Sequence, residues 1–104
     1  MTQTSCSTLE PYALRVVGDS MEPEFADGCV VIVDPAYVPR DGSYVIVEFA
    51  GDVFFRQIAF DGERRVLKAL NPKYGSFELT APYTIRGVVV QRTGRRRSQH
   101  KHYE

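Results

Sequence analysis

The groups that staple, ligate or anchor a protein are scarce in this sequence. Only two cysteines occur in 104 residues, Cys6 in a polar leader and Cys29 inside a valine-rich stretch. They could pair in principle, but that placement in a reducing compartment favours free thiols. The two histidines, His100 and His102, stand near the end of the chain, and no Cys or His lies at metal-ligand spacing from another. No metal and no cofactor are therefore expected. The longest apolar run falls far short of the roughly 18 residues of a membrane span, so no membrane association is expected. Residues 1–8 lack the basic and apolar regions of a secretory signal, which makes the cytoplasm the expected compartment.

Net charge is also missing, since 13 Lys and Arg balance 13 Asp and Glu. The balance is local rather than uniform: residues 1–91 carry 8 basic and 12 acidic side chains, and residues 92–104 carry five basic and one acidic. The triplet Arg95-Arg96-Arg97 has neither interleaved aromatics nor a recognition-helix pattern, so nucleic acid is not an expected partner.

What the chain does have is strand-forming material. It is 43% hydrophobic, with six Tyr, six Phe and many valines, enough for one core in one domain. Residues 1–11 show no apolar period and read as a flexible arm. Strands are expected over 12–17, 29–33, 44–49, 53–58, 65–70, 77–79 and 83–91, with a short helical or irregular turn over 22–28. Ala50-Gly51 and Asp61-Gly62 are hairpin signals, and Asn71-Pro72-Lys73-Tyr74-Gly75 breaks the pattern. This spacing, with no helical period, predicts an all-β, partly barrel-like domain of antiparallel sheets over 12–91, followed by a basic tail over 92–104.

One stretch joins strand to chemistry. Leu14-Arg15-Val16-Val17 alternates toward Gly18-Asp19-Ser20, a turn that leaves the strand abruptly and presents the Ser20 hydroxyl. Gly-Asp-Ser is also an ordinary turn, and a serine needs a base before it means catalysis.

The order of pieces is more specific than any one of them. Gly18-Asp19-Ser20-Met21-Glu22-Pro23, then Asp27-Gly28 before a valine-rich strand ending at Asp34, then a hairpin, then Asn71 and Tyr74, resembles the peptidase domain of LexA, UmuD and the phage repressors. The resemblance covers residues 12–91 and implies a self-cleaving serine peptidase with a serine and a deprotonated lysine as its dyad. Ser20 matches the nucleophile, and the backbone around Asp19 and Ser20 matches the oxyanion hole. The lysine position, on the strand after the hairpin, is Arg56. A guanidinium stays protonated, so it donates to Ser20 but cannot take its proton. Lys68 on the next strand is in a different register and reads as a solvated lysine.

The substrate departs from the resemblance as well. Residues 1–11 hold neither a helix-turn-helix nor an Ala-Gly bond, and Ala50-Gly51 reads as a turn. The reading is therefore a LexA-like domain, catalytically impaired, that serves as a binding or dimerisation module. A homodimer is expected through edge-to-edge pairing of the apolar strand over 85–90, and another protein is a possible partner. The alternative is an active endopeptidase that cuts a partner chain in trans with Ser20. The Gly-x-Ser-Met-x-Pro pattern is similar to type I signal peptidases too, but the anchor and lysine of those enzymes are missing.

Overall fold

The computed structural model describes residues 10–80, 82–93 and 101–103, and all regular structure among them is β. Eight strands run in chain order: β1 (Tyr12–Arg15), β2 (Val30–Asp34), β3 (Tyr44–Phe49), β4 (Asp52–Asp61), β5 (Arg64–Lys68), β6 (Ser76–Glu78), β7 (Tyr83–Thr93) and β8 (Lys101–His102). They form one antiparallel sheet ordered β1-β2-β7-β3-β4-β5-β6, with β8 added to β7. The all-β expectation holds. Residues 1–9 of the arm expected over 1–11, Cys6 among them, the Arg95-Arg96-Arg97 triplet and His100 lie outside the described residues.

Local turn chemistry explains the β3-β4-β5 meander. Phe49 pairs with Asp52 across Ala50 and Gly51, whose φ values of 54° and 85° are both positive, as a type I′ hairpin requires. Ala50-Gly51 is thus a turn, as expected from its setting. The second hairpin pairs Asp61 with Arg64 and places Gly62, at φ 63°, in the first central position. Both loops hold two residues, which fixes strand register through the meander.

Alternation along the strands sends side chains to two separate cores. Val45 and Val47 of β3 join Ile58, Leu67, Leu79 and Val88 in one cluster, while Ile46 joins Val16, Met21, Phe25, Val31, Val33 and Val89 in the other. The loop after β1 supplies the second cluster's largest plugs. Met21 and Phe25 are fully buried, and the Phe25 N–H donates to the Met21 carbonyl at 2.9 Å, a single turn that aims both side chains inward.

The expected tail is partly built into the sheet. β7 continues to Thr93, and Lys101 and His102 pair with Arg92 and Gln91. Tyr103 packs its ring against Phe25 and Tyr44 at centroid distances of 5.2 Å, and its hydroxyl donates to Glu24 Oε2 at 2.7 Å. Lys101 Nζ reaches the same carboxylate oxygen at 2.9 Å, and Arg92 donates to the Glu24 carbonyl. The hydrogen bond from Tyr103, then Lys101 and Arg92, hold the Glu24 carboxyl below its ordinary range.

The position of β7 corrects one expectation. It lies between β2 and β3 rather than at an edge: β3 pairs with it from Tyr83 to Val88, and β2 pairs with it from Val88 to Thr93. The Tyr103 N–H also donates to the Val90 carbonyl at 2.9 Å. Residues 88–90 therefore have no free flank for a second copy, and only the segment around Thr84, Ile85 and Arg86 lacks a second strand neighbour among the described residues.

Candidate functional site

The Ser20 turn is held from inside and outside the loop. Gly18, at φ 95°, takes the chain out of β1, and its N–H donates to Asp27 Oδ1 at 2.8 Å. The Gly28 N–H closes the loop base on the Val16 carbonyl at 2.7 Å, and the Val16 N–H answers to the Cys29 carbonyl at 2.8 Å. A side chain at Gly18 would resist that backbone angle, so glycine here is a requirement of the turn.

The second clamp comes from residues 71–74, far away in sequence. Asn71 Nδ2 donates to the Asp19 carbonyl at 2.9 Å, and the Asn71 N–H donates to the Ser20 carbonyl at 3.0 Å. Tyr74 donates its hydroxyl to Asp19 Oδ1 at 2.6 Å, while Lys73 Nζ stands 3.0 Å from Asp19 Oδ2. These contacts, Tyr74 foremost and then Lys73, hold the Asp19 carboxyl below its ordinary range. Reciprocally, the hydrogen bond to Asp19 keeps Lys73 charged and raises its pKa.

Arg56 approaches from β4. The pleat turns Phe55 toward Phe25, at a ring distance of 4.9 Å, and sends Arg56 the other way. Its Nη1 donates to Ser20 Oγ at 3.0 Å and to the Phe55 carbonyl at 2.9 Å. The guanidinium also lies 5.5 Å from the Phe54 ring centroid and 5.9 Å from that of Tyr74. No carboxylate among the described residues pairs with it, and its buried Nε has no hydrogen-bond partner. Burial pushes its pKa below the ordinary value. The ordinary value is so high that the group still carries its charge at neutral pH.

Ser20, Arg56 and Asp19 thus meet in one place. Lys68 does not join them: it is exposed at the end of β5, opposite Gln57 and Ser76. The sequence reading took Asn71 and Tyr74 only as markers of the resemblance, without a contact to the turn, and passed over Lys73, whose amine reaches Asp19. The break at Asn71-Pro72 marked the segment as a loop, but no periodicity could say which loop it would touch.

The surroundings form a cleft of about 480 Å³ lined by Leu14, Val17, Ser20, Val53, Phe54 and Arg56 among others. A larger concavity, about 650 Å³, lies elsewhere, against Arg15, Glu24, Asp27, Cys29 and Arg92. Burial raises the Cys29 thiol above its ordinary pKa, which disfavours the thiolate that nucleophilic chemistry would need. The smaller cleft is the one in which a serine hydroxyl is hydrogen-bonded to a charged side chain. Among the described residues, no cluster of His, Cys, Asp and Glu is arranged to hold a metal ion, and no helix is long and apolar enough to cross a membrane.

Comparison with known proteins places these features in a wider set. Residues 3–90 match the family described as Peptidase S24-like. The chain is 39% identical over 87 residues to an HTH-type transcriptional regulator for conjugative element SXT from Vibrio cholerae, an alignment covering 77% of this chain and 40% of that protein. It is 35% identical over 95 residues to repressor protein C2 of Salmonella phage P22, covering 86% and 44% respectively. A LexA repressor from Desulfatibacillum aliphaticivorans is 33% identical over 69 residues, covering 65% of this chain and 34% of the repressor. The chain spans about two fifths of the length of the first of these relatives.

Proposed function

The chain belongs to the Peptidase S24-like family of LexA-like and phage-repressor-like domains, and from that premise we propose that it is a catalytically silent member whose work is binding and self-association. The observation that carries this reading is the 3.0 Å hydrogen bond from Arg56 Nη1 to Ser20 Oγ. Serine acts as a nucleophile when a neighbouring base removes its proton. A lysine at position 56 would serve, because burial lowers an amine's pKa far enough to free a lone pair. An arginine has no lone pair to offer at neutral pH, so Ser20 keeps its proton.

The nearest other amine does not rescue the reaction. Lys73 is tied to Asp19 at 3.0 Å, and that contact shifts it toward the charged form. Backbone N–H groups around Asp19 and Ser20 would remain as a relic of the oxyanion hole. The relatives named as transcriptional regulators and repressors suggest the setting: a domain that pairs copies of a repressor-type regulator, its folded unit running from residue 12 to 93 and taking in residues 101–103. Nucleic-acid contact is not assigned to this domain.

The test compares wild type, Arg56→Lys and Ser20→Ala on an Ala-Gly peptide supplied in trans, across neutral to alkaline pH. Wild type is expected to be inert and unreactive toward serine-directed probes, with Arg56→Lys gaining weak cleavage. The gain stays weak because an untethered substrate lacks the advantage of proximity. Cleavage by wild type that disappears in Ser20→Ala would overturn the proposal and identify the alternative, an active endopeptidase.

A further inference from the structure

The cleft around Arg56 holds a guanidinium that no carboxylate among the described residues pairs with. Arg56 Nε is buried with no partner, and Nη1 already donates to Ser20 Oγ and the Phe55 carbonyl. Because Ser20 Oγ accepts from Arg56, its own proton is free to donate into the cleft. The two carboxylates that line the cleft do not pair with Arg56: Asp19 is occupied by Tyr74 and Lys73, and Asp52 forms no ion pair with the guanidinium among the described residues. A partly buried charge with no counter-charge costs stability, and an acceptor-only anion removes that cost with charge-assisted hydrogen bonds.

The walls say what the anion is attached to. β1 pairs only with β2, so its other flank is open among the described residues. Residues 52–56 of β4 pair with β3 on one side, and β5 begins to pair only at Gln57, which leaves their other flank open too. Between these two strand flanks lie exposed apolar side chains, Leu14 at 36%, Val17 at 85% and Val53 at 60% of full exposure. Open strand flanks with apolar side chains suit an extended polypeptide that adds its backbone to the sheet.

We propose that this cleft receives the carboxy-terminal end of a partner polypeptide, with the terminal carboxylate on Arg56 and Ser20 and the preceding apolar residues extended between β1 and β4. The inference rests on the reading that Arg56 leaves Ser20 unable to attack. A lysine-based dyad would bring a scissile amide to the same point. The arginine turns that point into a receptor for a charge that a mid-chain amide does not carry. A guanidinium matches a carboxylate bidentately, which a lysine amine cannot do.

The experiment uses two fluorescein-labelled pools of pentapeptides built from Val, Leu and Ala, one ending in the free acid and the other in the amide. Fluorescence polarisation with the whole chain should show the acid pool binding about tenfold or more tighter than the amide pool, as expected for a hydrogen-bonded charge. High salt should narrow that ratio. Arg56→Gln, checked for native circular dichroism, should bring the ratio to about one, and Ser20→Ala should reduce it while leaving the guanidinium in place. Mass spectrometry of the peptides after incubation separates the two failures. Intact peptides with equal acid and amide affinity, or with no binding to either, overturn the carboxylate site and leave the silent-peptidase reading standing. Peptides cut in a Ser20-dependent manner overturn both.

Discussion

A guanidinium and an amine at the same point of a strand differ in what they can take from a serine. Arg56 donates to Ser20 Oγ at 3.0 Å and has nothing with which to accept. Asp19, one residue before the serine, has the opposite character: it accepts from Tyr74 and Lys73, and both contacts exist for its ionised form. Its folded pKa is depressed, so the constraint it places on the turn is fully present above the ordinary carboxylate pKa and is lost as pH falls through the lower folded value. We expect the amide NMR signals of Gly18, Asp19 and Ser20 to move together in an acid titration, with a midpoint below the ordinary range. In Asp19→Asn that joint transition should be absent at every pH. A midpoint at or above the ordinary value would show that Tyr74 and Lys73 do not hold the carboxylate in solution.

Strand β7 owes its place to a glycine. Gly87 sits where β7 passes the end of β2, and a Cβ built there would meet Val33 Cγ1 at 2.5 Å and the Asp34 backbone at 3.3 Å. Val33 is fully buried, so it has little room to withdraw. The same stretch carries the register shifts that let β7 serve β3 with one half and β2 with the other. Gly87→Ala should therefore destabilise the domain by about 1 to 3 kcal/mol, the usual cost of overpacking a tight core. Urea unfolding measures it, and adding Val33→Ala should recover part of the overpacking loss if the clash is with that side chain. Equal stability of Gly87→Ala and wild type would mean that the strands separate there at little cost.

At the scale of the molecule, the sheet order decides where a second copy can bind. The flank around Thr84, Ile85 and Arg86 is short, and the exposed Tyr12 and Tyr83 give the region apolar surface. If copies pair through that flank, light scattering at micromolar concentration should give twice the 11.8 kDa monomer mass. Replacing Ile85 by Lys should return the monomer mass, because a like charge facing its symmetry mate opposes pairing. A monomer at every concentration would remove the dimer from the proposed function and leave binding of another protein as the domain's work. The open flanks around the Ser20 cleft, on β1 and β4, are a separate surface, so the two associations can be lost independently.

The sequence by itself determined what depends on neighbours along the chain. Alternation in residues 44–49 produced β3 with the expected bounds, and Ala50-Gly51 and Gly62 set two-residue turns because their positive φ values are local properties. The Gly18-Asp19-Ser20 turn and the strand carrying Arg56 were legible for the same reason, and the resemblance supplied their pairing. Only the tertiary structure decided what depends on contacts across long separations. It put β7 inside the sheet rather than at its edge, because an apolar run is compatible with either place and the pairing with β2 and β3 chooses between them. It brought Lys101 and Tyr103 back onto Glu24, although a basic segment read alone has no acidic partner in view. It also laid Asn71, Lys73 and Tyr74 against Asp19 and Ser20, more than fifty residues away in the chain for Asn71 and Asp19. A loop signal says that the chain turns, but what the loop touches is set by the strands on either side of it.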